Sequence, residues 1–410
     1  MNKLRVLLQC TPEDRRPVGQ LAESRGRVFF EYDPEFLRAP LWLSPFKLPP
    51  APGLHEHMDR AFGPLFGLFD DSLPDGWGLL LMDRAFRRAG RDPHDVGILE
   101  RLAYLGSETM GALVYEPAMP REDDLNESFD LGRLAREGAQ VLDGDVQSAL
   151  PLLQRAGGSP GGARPKVLAG VQGDRLTSGH GDLPEGFAPW IIKFPARLDD
   201  LDAGPVEFAY ARMAAAAGIL MPETRLFEAG RDRFFGARRF DRQDNRRVHT
   251  HTLGNLIHSN FRVPSCDYAD FLKVVRILTK NHQDLRQAFR RMVFNVLTHN
   301  RDDHVKNVSF CLDESGDWRL APAYDLTFAP GPGGEHSMTV QGQGKAPGKR
   351  ELWAVGRGEG LKDKDMAAMY DEVRAAVEQW PVLADEAGVP GGSAGMLRAV
   401  FVRTLAMCGR

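Results

Sequence analysis

Apolar and polar positions follow strand spacing through much of the first 245 residues and helical spacing through most of the rest. Arg27 to Asp33, RVFFEYD, is a dense aromatic and β-branched run and predicts a strand. Leu48 to Gly53, LPPAPG, breaks the pattern. Ser72 to Gly78, SLPDGWG, predicts a turn, because proline presets φ and glycine supplies a positive one. Leu79 to Arg91 then has the spacing of a basic amphipathic helix, and Leu113 to Arg121 that of a strand running into a linker. Glu122 to Arg155 is acidic and then helical in pattern. A Gly-rich stretch, Ala156 to Ala163 (AGGSPGGA), precedes strands expected at Lys166 to Val171 and Ala188 to Pro195. A helix over Val206 to Gly218 stops at glycine, and two further strands are expected at Glu223 to Glu228 and Arg233 to Phe240. Helices are predicted over Tyr268 to Lys280, Leu285 to His299, Lys364 to Gln379 and Gly395 to Cys408. A hairpin at Val308 to Leu320 and a Gly/Pro-rich loop over Ala329 to Gly348 interrupt them. The expected class is α+β: a β-rich N-terminal module over 1–120, a small β-rich lobe over 121–245 and a helical lobe over 246–410.

Length and composition narrow the class. A chain of 410 residues has room for two or three domains and for a core that needs no disulfide or metal staple. With 42% hydrophobic and 26% charged residues it is neither a disordered chain nor a multi-span membrane protein. Lys+Arg of 52 against Asp+Glu of 56 gives a formal charge of −4, which argues against a protein that coats nucleic acid by itself. The four cysteines, Cys10, Cys266, Cys311 and Cys408, form no CxxC pair and fit thiols in a reducing compartment. The first residues lack the long apolar stretch of a secretory signal, and no run of eighteen apolar residues suits a membrane helix. The expected location is the cytoplasm, with no membrane partner.

Four segments carry candidate chemistry. His299 to Asn307, HNRDDHVKN, lies between a predicted helix and a strand and packs Asp302, Asp303, His304, Lys306 and Asn307 together. Phosphoryl transfer uses that mixture: a carboxylate to accept the proton of the attacking hydroxyl, an amide oxygen for a metal, and a cation to offset charge. A polar surface loop is the alternative. Asp325 in LAPAYDL is a second candidate metal carboxylate, with a turn or cap role as its alternative. Lys193 sits in the apolar strand WIIKFP, and Glu207 opens the next helix; a strand Lys and a helix Glu form the ion pair that positions phosphates in protein kinases. Ser159 to Lys166, SPGGARPK, offers two glycines for close phosphate approach with Arg164 and Lys166 as cations. Gly loop, strand Lys, helix Glu, Asp–Asn loop, hairpin and metal-type Asp follow the linear order of a protein kinase, so the two later lobes are expected to form a kinase-like fold.

These residues resemble the HipA-family serine/threonine kinases, toxins of bacterial toxin–antitoxin modules. The similarity runs through GRVFFEYDPEFL with LSPFKLP, FDDSLPDGWG, GGARPK, IIKFP, RRFDR, DDHVKN and PAYDL. The resemblance implies Asp302 as catalytic base, and Asn307 and Asp325 as ligands of Mg²⁺. It implies ATP contacts from Gly161, Gly162, Ala163, Arg164, Lys166 and Lys193, from the hinge segment Arg238, Arg239 and Phe240, and from His304, Lys306 and Tyr324. It implies autophosphorylation at Ser159, an aminoacyl-tRNA synthetase as protein substrate (glutamyl-tRNA synthetase first), and a HipB-type helix-turn-helix antitoxin through which the pair reaches operator DNA. A weakly catalytic co-repressor is the alternative. The sequence departs from the family at Arg238, where the best-known member is acidic, at Arg301 beside the expected base, and at Pro160 after Ser159.

Overall fold

A computed structural model of the chain describes residues 2–119, 130–142, 153, 161–196, 202–263 and 265–408. Ser159 lies outside them. Contacts gather the chain into two compact units. The first comprises Met1–Asp199, Phe227–His251 and Asn255–His258; the second comprises Asp200–Leu226, Thr252–Gly254 and Ser259–Arg410. Both the 1–120 module and most of the 121–245 segment fall in the first.

The first unit carries two antiparallel sheets. One is built from β1 (Lys3–Gln9), β2 (Arg15–Ser24), β3 (Arg27–Tyr32), β4 (Leu54–Glu56) and β5 (Leu113–Glu116), in the order β4-β3-β2-β1-β5. β3 alternates as its sequence predicts: Val28, Phe30 and Tyr32 are buried, and the residues between them are more exposed. Gly19 stands opposite Tyr32, where a Cβ would fall 2.3 Å from the Glu31 carbonyl oxygen, so only glycine fits under the crossing ring of Phe30.

The second sheet contains β6 (Lys166–Gln172), β7 (Arg175–Ser178), β8 (Ala188–Lys193), β9 (Thr224–Ala229) and β10 (Asp232–Arg238), in the order β7-β6-β8-β10-β9. Its two faces differ in chemistry. Val167, Ala169, Trp190 and Ile192 point to one face and join Trp77, Leu81, Leu134 and Phe234 in a continuous core. Lys166, Leu168, Ile191 and Lys193 alternate with them and therefore project from the other.

The second unit is mainly helical. The Tyr268–Thr279 helix opens with a capping box, in which the Asp267 carboxylate accepts the Ala269 amide at 2.8 Å and Asp270 reaches back to the Asp267 amide. The His282–Thr298 helix starts at Asn281, whose side chain accepts the Gln283 amide, and stops at His299, which is left-handed at φ 60°. Its apolar stripe, including Phe289, Met292 and Val296, is buried. A hairpin of Ser309–Leu312 and Trp318–Leu320 follows, and the Lys349–Gly358, Asp363–Glu378, Trp380–Glu386 and Gly391–Cys408 helices close the unit. None of the four cysteines is in a disulfide, and among the described residues no helix is long and apolar enough to cross a membrane.

Candidate active site

The left-handed stop at His299 releases the chain into the loop that carries Asp302, and the two neighbouring carboxylates take opposite places. Asp302 is exposed. Asp303 is buried and saturated: one oxygen accepts the Tyr268 hydroxyl at 2.7 Å and His336 Nδ1 at 2.8 Å, and the other accepts the Ser337 amide at 2.8 Å. Asn307 Nδ2 donates to the Asp302 carbonyl at 2.7 Å, which closes the turn and leaves the amide oxygen pointing away from that bond.

Tyr324 brings the PAYDL segment to the same loop. Its hydroxyl donates to the Lys306 carbonyl at 2.7 Å and meets Ser309 Oγ at 2.6 Å. The next residue, Asp325, has φ +53°, a left-handed conformation that aspartate tolerates better than most side chains. A buried relay also approaches it: Tyr268 accepts from Asn295 at 2.9 Å, Asn295 accepts from Asn300 at 3.0 Å, and Asn300 lies 3.5 Å from the Asp325 carbonyl. His304 and Lys306 flank Phe261, the ring at 5.4 Å and the ammonium at 5.0 Å from its centroid. Glu207 is buried on the Ala203–Ala216 helix of this unit, whereas Lys193 belongs to the first.

In the first unit, Lys166 and Lys193 are register partners on neighbouring antiparallel strands and so share one face. Phe235 stands opposite Lys193 on β10, with the ammonium 5.6 Å from the ring centroid. One step along the strands the same face carries Leu168, Ile191 and Ala237. Cations beside an apolar row suit a polyphosphate attached to a flat base. Spacing revealed the lysines; the apolar row escaped sequence reading, although alternation with Lys166 and Lys193 marks Leu168 and Ile191.

The Gly loop is held from Asp75 to Trp77. The Asp75 carboxylate accepts the Gly162 amide, the Trp77 amide donates to the Gly162 carbonyl at 3.0 Å, and the Trp77 indole donates to the Lys166 carbonyl at 3.0 Å. Gly76, at φ +43°, lies so close that a Cβ would meet Ala163 Cα at 2.7 Å. Lys166 Nζ donates to the Gly161 carbonyl. Ala163 is exposed and Arg164 half-buried.

The hinge segment is only partly available. Arg238 pairs with Trp190, which puts its side chain on the face away from Lys193. The Arg239 amide donates to the Pro189 carbonyl at 2.9 Å, and its guanidinium grips Asp241 at 2.9 and 2.8 Å. The Arg239 amide is thus committed within the chain, and the backbone groups that remain for a base edge are the Arg239 carbonyl and those of Arg238 and the half-buried Phe240. Asp241 also accepts from Arg242 at 2.8 Å and the Gly111 amide at 2.9 Å. Burial alone would raise its carboxyl, but Arg239 and Arg242 outweigh that and hold it well below the usual carboxylate range.

The histidines of HTHTLGNLIH serve packing. His251 contacts the Asp71 carboxylate and, through Nε2, Ser44 Oγ at 3.1 Å; His258 Nε2 accepts the Gly67 amide at 3.1 Å.

Residues 13–116 match the HipA N-terminal domain, and residues 158–380 match the HipA-like C-terminal domain. The chain belongs to the HipA family. Among solved structures, HipA in the Shewanella oneidensis MR-1 complex of HipA, HipB and operator DNA aligns over 99% of this chain and 97% of its own. Its TM-score is 0.71 at 17% identity, so it shares the fold. The Helicobacter pylori proinflammatory kinase CtkA aligns over 54% of this chain and 88% of its own, at 11% identity and a TM-score of 0.38. By sequence, "Putative kinase Y4dM" of Sinorhizobium fredii is 28% identical over 151 residues, 33% of this chain. The match spans 36% of that relative's length.

Proposed function

We propose that this HipA-family protein is an ATP-dependent serine/threonine protein kinase acting as the toxin of a toxin–antitoxin module in the cytoplasm. The observation that carries the reading is the division of labour in the DDHVKN loop: Asp303 is consumed by three donors, while Asp302 stays exposed beside a turn braced by Asn307. Asp302 accepts the proton of the acceptor hydroxyl. Lys166, Lys193 and Arg164 bind the phosphates with the amides of Gly161 and Ala163, while Asp75 holds the Gly162 amide, and Leu168 and Ile191 face the base.

The donor set fits Mg²⁺, which takes one or two protein oxygens and fills its remaining positions with water and phosphate. Asn307 supplies an amide oxygen oriented by its own N–H bond, and Asp325 a carboxylate on the segment that Tyr324 ties to Lys306. When bound, the ion neutralises charge on the polyphosphate. Family membership supports autophosphorylation at Ser159 as an off-switch, an aminoacyl-tRNA synthetase as target, and a HipB-type antitoxin that carries the pair to operator DNA.

Incubation of the protein with Mg²⁺-ATP, followed by intact mass and phosphopeptide analysis, tests the reading with Asp302→Asn in parallel. A phosphate on wild-type protein or on an added tRNA synthetase, absent with the variant, supports it. Failure of the wild type to bind or turn over ATP overturns it in favour of a DNA-bound co-repressor.

A further inference from the structure

The expected catalytic Asp302 is preceded by Arg301, a residue that the resemblance leaves without a role. Its side chain leaves the catalytic loop and grips the Gly/Pro-rich segment that follows Asp325. The guanidinium donates to the Gly334 carbonyl and, at 2.7 Å, to the Lys345 carbonyl. The segment grips back along the backbone. The Arg301 amide donates to the Ala329 carbonyl at 3.2 Å, and Ser337 Oγ donates to the Arg301 carbonyl at 3.0 Å. Gly331 passes so close that a Cβ would lie 2.6 Å from Arg301 Cβ. The far side of the segment is pinned on a helix cap: Thr339 Oγ1 donates to the Asp267 carboxylate at 2.7 Å, and the Gly342 amide donates to it at 2.8 Å.

Asp302 therefore lies between two residues that this segment fixes, Arg301 through its carbonyl and Asp303 through His336 and Ser337. An arginine fork spanning two carbonyls is a geometric choice that a lysine cannot copy. In kinases, the loop after the metal-binding Asp is commonly ordered by a phosphate bound to arginine. Here the same type of side chain reaches backbone carbonyls of the loop directly.

We propose that Arg301 is a positioning residue: it latches the 329–345 segment across the catalytic loop and holds Asp302 in its working orientation without any phosphate on that segment. The proposal rests on the kinase reading for its effect on turnover, but the latch itself is measurable without ATP.

Arg301→Ala, Arg301→Lys and Gly331→Ala would be compared with wild type by hydrogen exchange of amides 334–343, by nucleotide affinity and by kcat and KM for ATP. Gly331→Ala disturbs the same contact from the other side and leaves the guanidinium in place. The latch predicts amide exchange at least about tenfold faster in Arg301→Ala, the weight of one charged hydrogen bond. It also predicts kcat lowered by about tenfold or more with KM for ATP within twofold, and partial recovery in Arg301→Lys. Unchanged exchange in both Arg301→Ala and Gly331→Ala overturns it. So does a parallel loss of nucleotide affinity and melting temperature, which would make Arg301 a general fold residue. If exchange accelerates as expected while wild type transfers no phosphate, the latch stands and the kinase reading falls.

Discussion

Asp302 and Asp303 are adjacent in sequence and opposite in environment: the first is exposed, and the second is buried against Tyr268, His336 and the Ser337 amide. Substitution separates them. Asp302→Asn should lower phosphoryl transfer by roughly 10²–10⁴-fold, the worth of a general base, with an unchanged melting temperature. Asp303→Asn should instead destabilise the fold by about 1–3 kcal/mol, since a buried acceptor of three bonds loses its charge and gains a misplaced donor. Thermal melting beside ATP turnover reads both, and the reverse assignment would show as lost activity without lost stability in Asp303→Asn.

Asn307 has two functions that different substitutions divide. Asn307→Asp keeps an oxygen for a metal but loses the N–H that braces the Asp302 carbonyl. Asn307→Ala loses both. The alanine variant should need more Mg²⁺ for half-maximal turnover, whereas the aspartate variant should keep the wild-type Mg²⁺ midpoint with a lower maximal rate. A magnesium titration of each checks this.

Lys193 stands opposite Lys166 on one sheet face. Lys193→Met should raise KM for ATP by roughly tenfold or more, the weight of a charged hydrogen bond to phosphate, and Lys193→Arg should restore part of the loss. ATP affinity measured by calorimetry gives the answer.

Asp241 pairs with the buried Arg239 and the half-buried Arg242, and its removal should be felt in stability alone. Asp241→Asn leaves Arg239 and Arg242 uncompensated and should cost about 3–5 kcal/mol. Urea unfolding would show a lower midpoint; an unchanged midpoint would mean that water reaches the guanidinium groups.

Burial pushes the imidazoles of His249 and His299 down to about 4. Each stays neutral in the folded chain and takes a proton on unfolding once the pH falls below about 6.5, so the folded state loses ground between about pH 6.5 and 4. The melting temperature at pH 5 should lie below that at pH 7.5. His249→Gln, which keeps a donor for the Leu43 carbonyl, should narrow the gap.

Local pattern was enough to find β3, the strand around Lys193 and the helix leading to His299, because each carries its period or its cap within a few residues. It was not enough for β1, a short apolar patch in sequence that lies between β2 and β5 in the first sheet. Nor was it enough for His249–Thr252, a strand whose two histidines are buried. The Lys349–Gly358 helix was hidden by its glycines, which lower helix propensity while the packing of Leu352 and Trp353 restores it. The environments of Asp302 and Asp303 could not be told apart by spacing, since what buries Asp303 is Tyr268, thirty-five residues away, and His336, thirty-three residues away. Register between β6 and β8 is likewise a long-range property, so the two lysines were visible but their adjacency was not.

The left-handed backbone at Asp325 restricts which replacements can be interpreted. Alanine there would remove the proposed metal oxygen and also force a Cβ-bearing residue without a polar side chain into a conformation costing about 1–2 kcal/mol. Glutamate would retain the charge and lose the conformational tolerance. Asparagine alone changes the chemistry and spares the backbone, so the inactivating substitution of choice at this position is set by a dihedral angle as much as by a ligand. Coordination and chain geometry draw here on the same short alphabet of side chains.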